Sequence, residues 1–292
     1  MRNLKSYIKT IGIKTVDIKT IDIKEGFKLD KNYKKPFNYY PTTKDELKDI
    51  IKELIDKRGY EANLNDICTS EITDMSDLFS RSQFNGDISK WDVSNVEDMS
   101  RMFGNSHFNG DISKWNVSKV KNMQNMFFNS EFDGDLSKWD VSNTINIFWM
   151  FNGSNFTGKN GDISEWNVSN VKDMGGIFYN SEFNGDISKW DVSSVTNMNA
   201  MFCDSNFNGD ISKWNVSSVT NMCSMFSNSK YDGDLSKWDV SNVIDMSYMF
   251  YNSSFTGKNG DISKWNVNKN TDKKEMFSGT PLEGKEPAWY EK

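Results

Sequence analysis

Histidine occurs once in this 292-residue chain, as His107, and cysteine three times, as Cys68, Cys203 and Cys223. One histidine in a variable loop position has no Ser-His-Asp or Cys-His constellation to join, so it reads as a surface residue without a partner. An odd number of scattered cysteines with no Cys-x-x-Cys spacing makes neither a disulfide framework nor a zinc site. Long apolar runs are missing too: nothing approaches the ~18 residues of a membrane span. Met1 to Ile23 has a lysine every few residues and no secretory h-region. Phosphate-binding loops and dinucleotide fingerprints are absent. Positive charge is scarce outside the N-terminal stretch. Residues 1–62 carry a net +5, which leaves −11 for the remainder of a chain whose total is −6. An acidic body cannot neutralise backbone phosphates, so nucleic acid is not the expected partner. Together these absences argue against an enzyme and against a cofactor, and for a cytoplasmic or virion-associated protein.

What the chain has in abundance is repetition, the first feature to settle in any sequence. Eight tryptophans stand at 91, 115, 139, 166, 190, 214, 238 and 265, spaced by 24 residues or, twice, by 27. Each lies in one recurring phrase, Asp-Ile/Leu-Ser-Lys-Trp-Asp/Asn-Val-Ser, followed by Val, Met, Met-Phe, Asn-x-Ser, Phe and Asn/Asp-Gly. The longer spacings come from Thr157-Gly158-Lys159 and Thr256-Gly257-Lys258, insertions that lengthen a glycine-rich bend. Asp135 to Val168 and Asp234 to Val267 are close copies 99 residues apart, the mark of a duplicated four-repeat block.

Ile88, Trp91, Val93, Val96, Met99, Met102, Phe103 and Phe108 have apolar counterparts in nearly every copy. One 24-residue unit cannot bury so many large side chains alone, whereas stacked copies make a continuous interior. The phrases Ile-Ser-Lys-Trp-Asp-Val and Val-x-Asp-Met are too short and interrupted for typical helices, so they read as two short strands per turn. Met-Phe with Asn-x-Ser is expected to form one tight helical turn. The predicted fold is therefore a β-rich, leucine-rich-repeat-like solenoid, right-handed, with short parallel strands and an N-terminal capping helix.

Both ends of such a stack need covers. Thr43-Lys-Asp-Glu46 is a capping box. Leu47, Ile50, Ile51, Leu54 and Ile55 then form one apolar helix face, closed by Lys57-Arg58-Gly59. The expected divisions are an anchor, docking arm or unfolded tail over 1–41, a capping helix over 42–63, about nine repeats over 64–280 and a C-terminal cap over 281–292. Leu64-Asn-Asp-Ile67 takes the place of Ile-Ser-Lys-Trp in an atypical first coil, and Pro287-Ala-Trp289-Tyr290 folds over the last.

Two sets of residues are candidates for function. Asp87, Asp111, Asp135, Asp162, Asp186, Asp210, Asp234 and Asp261 form one column. Stacked carboxylates can ligate a hard cation such as Ca²⁺, or each can cap its own turn by accepting backbone N–H bonds, with Lys90 and its equivalents supplying compensating charge. A second acidic column alternates strictly after each Trp (Asp92, Asn116, Asp140, Asn167, Asp191, Asn215, Asp239, Asn266), as though amides donate to the carboxylates on either side. Function in a repeat fold belongs where the repeat does not dictate the residue. The ninth, tenth and thirteenth positions after each Trp vary freely and contain Phe128, Phe148, Trp149, Tyr179, Tyr248 and Tyr251, aromatics with no core duty. Exposed Trp and Tyr dominate binding energy at interfaces, so these are candidate ligand contacts centred on Phe148, Trp149 and Phe128. Incidental surface aromatics are the rival reading.

The phrase Trp91-Asp-Val-Ser-Asn-Val-Glu-Asp-Met-Ser-Arg-Met-Phe103, with Phe108-Asn-Gly-Asp-Ile112 and each later copy, resembles the BspA-like family. Its leucine-rich-repeat-type units occur in mycoplasma lipoproteins and bacterial surface proteins. The resemblance spans residues 64–290. It implies a solenoid used in adhesion or in binding a protein or glycan, and such repeats also occur in phage-encoded proteins. A virion-associated structural or host-recognition protein docked by its N-terminal arm is the alternative.

Overall fold

The computed structural model describes residues 36–290. The chain separates into two compact units, Met1–Pro36 and Phe37–Lys292. All but Pro36 of the first lies outside the described residues, and with it most of the expected arm. Residues 37–41 belong to the second unit rather than to an arm. Tyr39 makes a parallel bridge to Ile67, and the Cys68 N–H donates to the Tyr39 carbonyl at 2.9 Å.

The capping helix α1 runs Lys44–Arg58. Thr43 accepts the Glu46 N–H through its hydroxyl, while the Glu46 carboxylate reaches back one residue further than a standard box, to the Thr42 N–H at 2.7 Å. Leu47, Ile51 and Leu54 form the buried face. Gly59 ends α1 at φ 84°, its N–H donating to the Ile55 carbonyl, a left-handed stop that glycine adopts without a Cβ penalty. Arg58 in the last turn pairs with Asp66 of the first coil through two bonds of 2.9 Å. The helix is thereby tied to the stack at its end as well as along its apolar face.

Beyond α1, successive copies lie in register against one another. Met123, Asn125, Phe127 and Asn129 donate to the carbonyls of Asn146, Phe148, Met150 and Asn152 one copy on, at 2.9, 2.8, 2.9 and 2.7 Å. The pattern continues to the last copy, where Met246, Tyr248, Phe250 and Asn252 donate to Asp272, Lys274, Met276 and Ser278. Between these rungs the chain turns back on itself. Met126 donates to Met123 and Ser130 to Phe127, and the third residue of each turn is left-handed, Asn125 at φ 56° and Asn129 at φ 47°. A left-handed third residue is the mark of a type II turn. This segment is a train of turns and not the helical turn expected from its composition.

The same turns limit the strands. The described residues contain isolated parallel bridges that run from copy to copy along Asp74, Asp98, Asn122, Asn146, Asp173, Asn197, Asn221, Asp245 and Asp272, with a second bridge, Asn63 to Asp87, between the first two coils. The two short strands per coil read from the sequence do not extend beyond these single residues, because left-handed residues on one side and the Val93–Val96 type of turn on the other interrupt the pleat.

Side chains form ladders of their own. Phe79, Phe103, Phe127, Phe151, Phe178, Phe202, Phe226, Phe250 and Phe277 stack face on face with centroids 5.7–6.0 Å apart. A second ladder starts Phe84, Phe108, Phe132 at 6.2 and 6.4 Å. Within a copy the two ladders touch, as in Phe103–Phe108 at 4.2 Å. The repeat tryptophans are 3–5% exposed. Their indole N–H groups are satisfied one copy back: Trp115 donates to the Ile88 carbonyl at 3.2 Å and Trp139 to Ile112 at 3.1 Å. Trp289 extends this register past the eight repeat tryptophans, donating to Ile262 at 2.9 Å and stacking on Trp265 at 5.9 Å. With Leu282 and Tyr290 it packs against the core as the expected cover. The apolar Val column ends in Thr271, buried with its hydroxyl on the Val243 carbonyl, as Thr144 is on Val120. The two insertions make matching loops, with Thr157 and Asn160 gripping Asp133, and Thr256 and Asn259 gripping Asp232.

Tyr231 is the one misfit in the second ring ladder. It is fully buried, its hydroxyl has no hydrogen-bond partner, and burial pushes its ionisation well above the ordinary tyrosine value. Leaving a polar group unpaired in an apolar interior costs about 1–3 kcal/mol. Tyr231→Phe is expected to raise stability by about 1 kcal/mol, measured as an upward shift of the urea midpoint at constant slope. A lower midpoint would mean the hydroxyl does bond in solution.

Candidate interaction surface

The tenth position after each repeat tryptophan lies at a turn whose backbone most side chains avoid. Arg101, Asn125, Trp149, Gly176, Ala200, Ser224, Tyr248 and Glu275 all have φ between 49° and 58°. An L-residue costs roughly 1–2 kcal/mol in this region. The other left-handed column, four residues on, is stocked with residues that tolerate it: Asn105, Asn129, Asn180, Asn228 and Asn252, with Gly153 and Gly279. The first column shows no such selection. Side chains there sit on backbone that works against them, a condition that concentrates at functional sites.

The structure gathers three of the six candidate aromatics. Trp149 stacks on Phe128 of the preceding copy at 5.8 Å and 14°, and on Phe148 at 5.2 Å and 9°. The pair Gly175-Gly176 seats them in the following copy: a Cβ on Gly176 would fall on the Trp149 pyrrole edge, and one on Gly175 would meet the Phe148 ring. Unlike the repeat indoles, the Trp149 N–H is buried without a partner, and so is the Oδ1 of Asn125 in the same column. Tyr248 and Tyr251 form a separate edge-to-face pair at 5.6 Å, with Lys274 Nζ 5.5 Å from the Tyr248 centroid. Tyr179 makes no ring contact among the described residues, and burial raises the ionisation of its hydroxyl.

All six side chains are half-buried rather than exposed. Phe128 and Trp149 cover one another across neighbouring copies and Trp149 covers Phe148 within its own, because rings gain more by covering one another than by standing in water. The exposed large apolar residues are others: Tyr40, Tyr60, Ile145 (47%) and Ile244 (66%). Ile145 and Ile244 share a column that otherwise holds Glu97, Lys121, Lys172, Thr196 and Thr220. That polar-to-apolar switch was the sequence signal for them, overlooked beside the aromatics.

Against this geometry stands one relationship. The family model described as a Mycoplasma protein of unknown function, DUF285, matches residues 48–159, 130–206, 146–258 and 180–289. The chain belongs to this family. Four overlapping matches are what tandem copies of one unit produce. No curated protein and no solved structure matches the chain. Among the described residues no helix is long and apolar enough to cross a membrane.

In this DUF285 protein the conserved-looking acidic column spends itself on its own turns. Asp87, Asp111, Asp135, Asp162, Asp186, Asp210, Asp234 and Asp261 each accept the N–H of the serine two residues on, at 2.8–2.9 Å. Among the described residues no group of three or more His, Cys, Asp or Glu side chains is placed to hold a metal ion. The alternating column after each tryptophan also caps its own turns, Asp92 on Ser94 and Asn116 on Ser118. The amide-to-carboxylate bonds expected of it occur instead in the bridge column, Asn122 to Asp98 at 3.0 Å and Asn197 to Asp173 at 2.9 Å, where neighbouring backbones are held closest. His107 has a partner after all, Glu131 at 2.9 Å on the next copy. Burial pushes the Cys203 thiol up to about 12, which removes it as a nucleophile.

Two predictions follow from these turns. Serine hydroxyl and N–H donors hold the carboxyls of Asp111, Asp210, Asp234 and Asp261 below their ordinary value; for Asp186 the Ser188 N–H is the larger cause, and for Asp87 burial is the largest single influence and raises it, but the Ser89 bonds, the Asn65 amide and the Lys90 charge together outweigh it. Groups with depressed folded values stabilise the fold above the unfolded carboxylate range and lose that contribution as pH falls through the folded values. Melting temperature should therefore be flat near neutrality and drop below about pH 4, with no such drop near pH 6. Second, Ala200→Gly should stabilise by about 1 kcal/mol by relieving a left-handed alanine, while Gly176→Ala should destabilise and shift the Trp149 fluorescence. Calorimetric melts and emission spectra of the two variants check both signs.

Proposed function

We propose that this protein is a non-catalytic binding module, a right-handed leucine-rich-repeat-like solenoid of the BspA type that holds a protein or glycan partner on its variable turn ridge. The observation that carries this reading is the Phe128–Trp149–Phe148 cluster, three rings gathered around Trp149, whose left-handed backbone disfavours a side chain and whose indole N–H has no partner. No structural duty accounts for it: the buried ladders are complete without these residues. A solenoid binds along a broad face and needs no enclosed cavity, and the grooves of the described surface are shallow and open. Aromatics clustered near the centre of a face are the side chains that most often supply the decisive contacts of an interface.

The test immobilises the full chain, recovers ligands from a protein extract and a glycan array, and repeats the measurement with Trp149→Ala and Phe128→Ala. Each variant should keep its melting temperature within a few degrees and bind the recovered ligand about 10-fold or more weakly. Equal affinity of Trp149→Ala and the parent would remove the ridge as the binding surface.

A further inference from the structure

Beside the aromatic cluster, on the same copy, Ile145 stands 47% exposed in a shallow groove of about 500 Å³ lined by Glu97, Lys119, Lys121, Asn143, Asn170 and Lys172. Three lysines converge there although the chain beyond residue 62 carries −11. Their bonding is uneven. Lys121 pairs with Glu97 at 2.8 Å and Lys119 with the Asn95 amide oxygen at 2.7 Å. The Lys172 ammonium has no ion-pair or hydrogen-bond partner among the described residues. Ile145 lies three positions before Phe148 and four before Trp149 in the same copy.

We propose that the groove takes an acidic peptide segment of a protein partner, its carboxylates on Lys172, Lys121 and Lys119 and an apolar side chain on Ile145 and the neighbouring rings. This deepens the binding reading above and rests on it. Charge complementarity selects the sign: a locally basic groove on an otherwise acidic surface attracts an anion and steers it to that place. The hydrogen-bonding inventory selects peptide over glycan. Ammonium groups bond a carboxylate about twice as strongly as a neutral hydroxyl, and the Asn143 and Asn170 amides each already commit an N–H to a backbone carbonyl, Ser118 and Ser142, at 2.7 Å. The groove offers the Lys172 ammonium, the surplus positive charge of Lys119 and Lys121 over Glu97, and the exposed Ile145, which suits carboxylates set around a hydrophobic residue.

The experiment measures fluorescence anisotropy of the full chain with a fluorescein-labelled peptide of glutamates around a central Leu-Trp, a lysine-substituted counterpart of the same peptide, and labelled hyaluronan. The acidic peptide should bind at least 10-fold more tightly than the basic one, and weaken at least 10-fold between low and high salt. Lys121→Gln with Lys172→Gln should lose at least 10-fold, and Ile145→Ser several-fold, at unchanged circular dichroism. Equal binding of both peptides, no binding of either, or no effect of the lysine changes overturns the proposal. Lysine-dependent binding of hyaluronan without the acidic peptide overturns the peptide assignment. Binding lost in Trp149→Ala but kept in the lysine variant sinks the anionic groove and leaves the aromatic ridge standing. The reverse outcome supports the groove and sinks the ridge.

Discussion

Each phenylalanine from Phe79 to Phe277 in the first ladder lies flat on its own counterpart one copy along. The phenylalanine ladder, with centroids at 5.7–6.0 Å, sets the rise between copies. That rise brings alternate backbone N–H groups onto carbonyls of the next copy at 2.6–3.1 Å. Offset-stacked aromatics gain attraction beyond the area they bury, and a ring replaced by a smaller side chain leaves a gap felt by both neighbours. Every other feature inherits this spacing, including the indole N–H bonds that reach back one copy and the bridge column that lets Asn122 meet Asp98.

The same regularity explains why departures from it are informative. Insertions are absorbed where Asp133 and Asp232 each collect a loop of donors, so the ladders cross them without interruption. Glu165 stands where the other copies have lysine, and it pairs with Lys189 on the next. Trp149 differs in kind. It occupies backbone that costs energy, leaves its donor unused and is accommodated only because Gly175 and Gly176 follow in the next copy. That combination is what motivates the proposal of a binding ridge here, with the basic groove around Ile145 proposed as part of the same surface.

Much of the architecture was legible in the amino-acid order: the 24-residue unit, its core columns, the helix over Lys44–Arg58 with its Thr43 cap, and the atypical first coil. Periodicity reports which side chains are buried because burial is a property of residue type repeated at fixed spacing. It is silent on the sign of φ. The train of turns was hidden for that reason, although the asparagine column (Asn105, Asn129, Asn180, Asn228, Asn252) carried its signature in plain residues. Variation of a column marks freedom from the core, and it was read as exposure, yet Phe128, Phe148 and Trp149 fold against their neighbours.

By itself, then, the order of residues determined that many identical units must share one interior, because a single unit has too much apolar surface to cover alone. Only the tertiary structure decided which polar column carries bonds between copies and which merely caps a turn. Only it placed Phe128 of one copy on Trp149 of the next, and set Lys172 beside Lys119 and Lys121 along one groove. Those facts depend on distances between residues 21 to 27 apart in the chain, and such distances exist only once the copies have stacked.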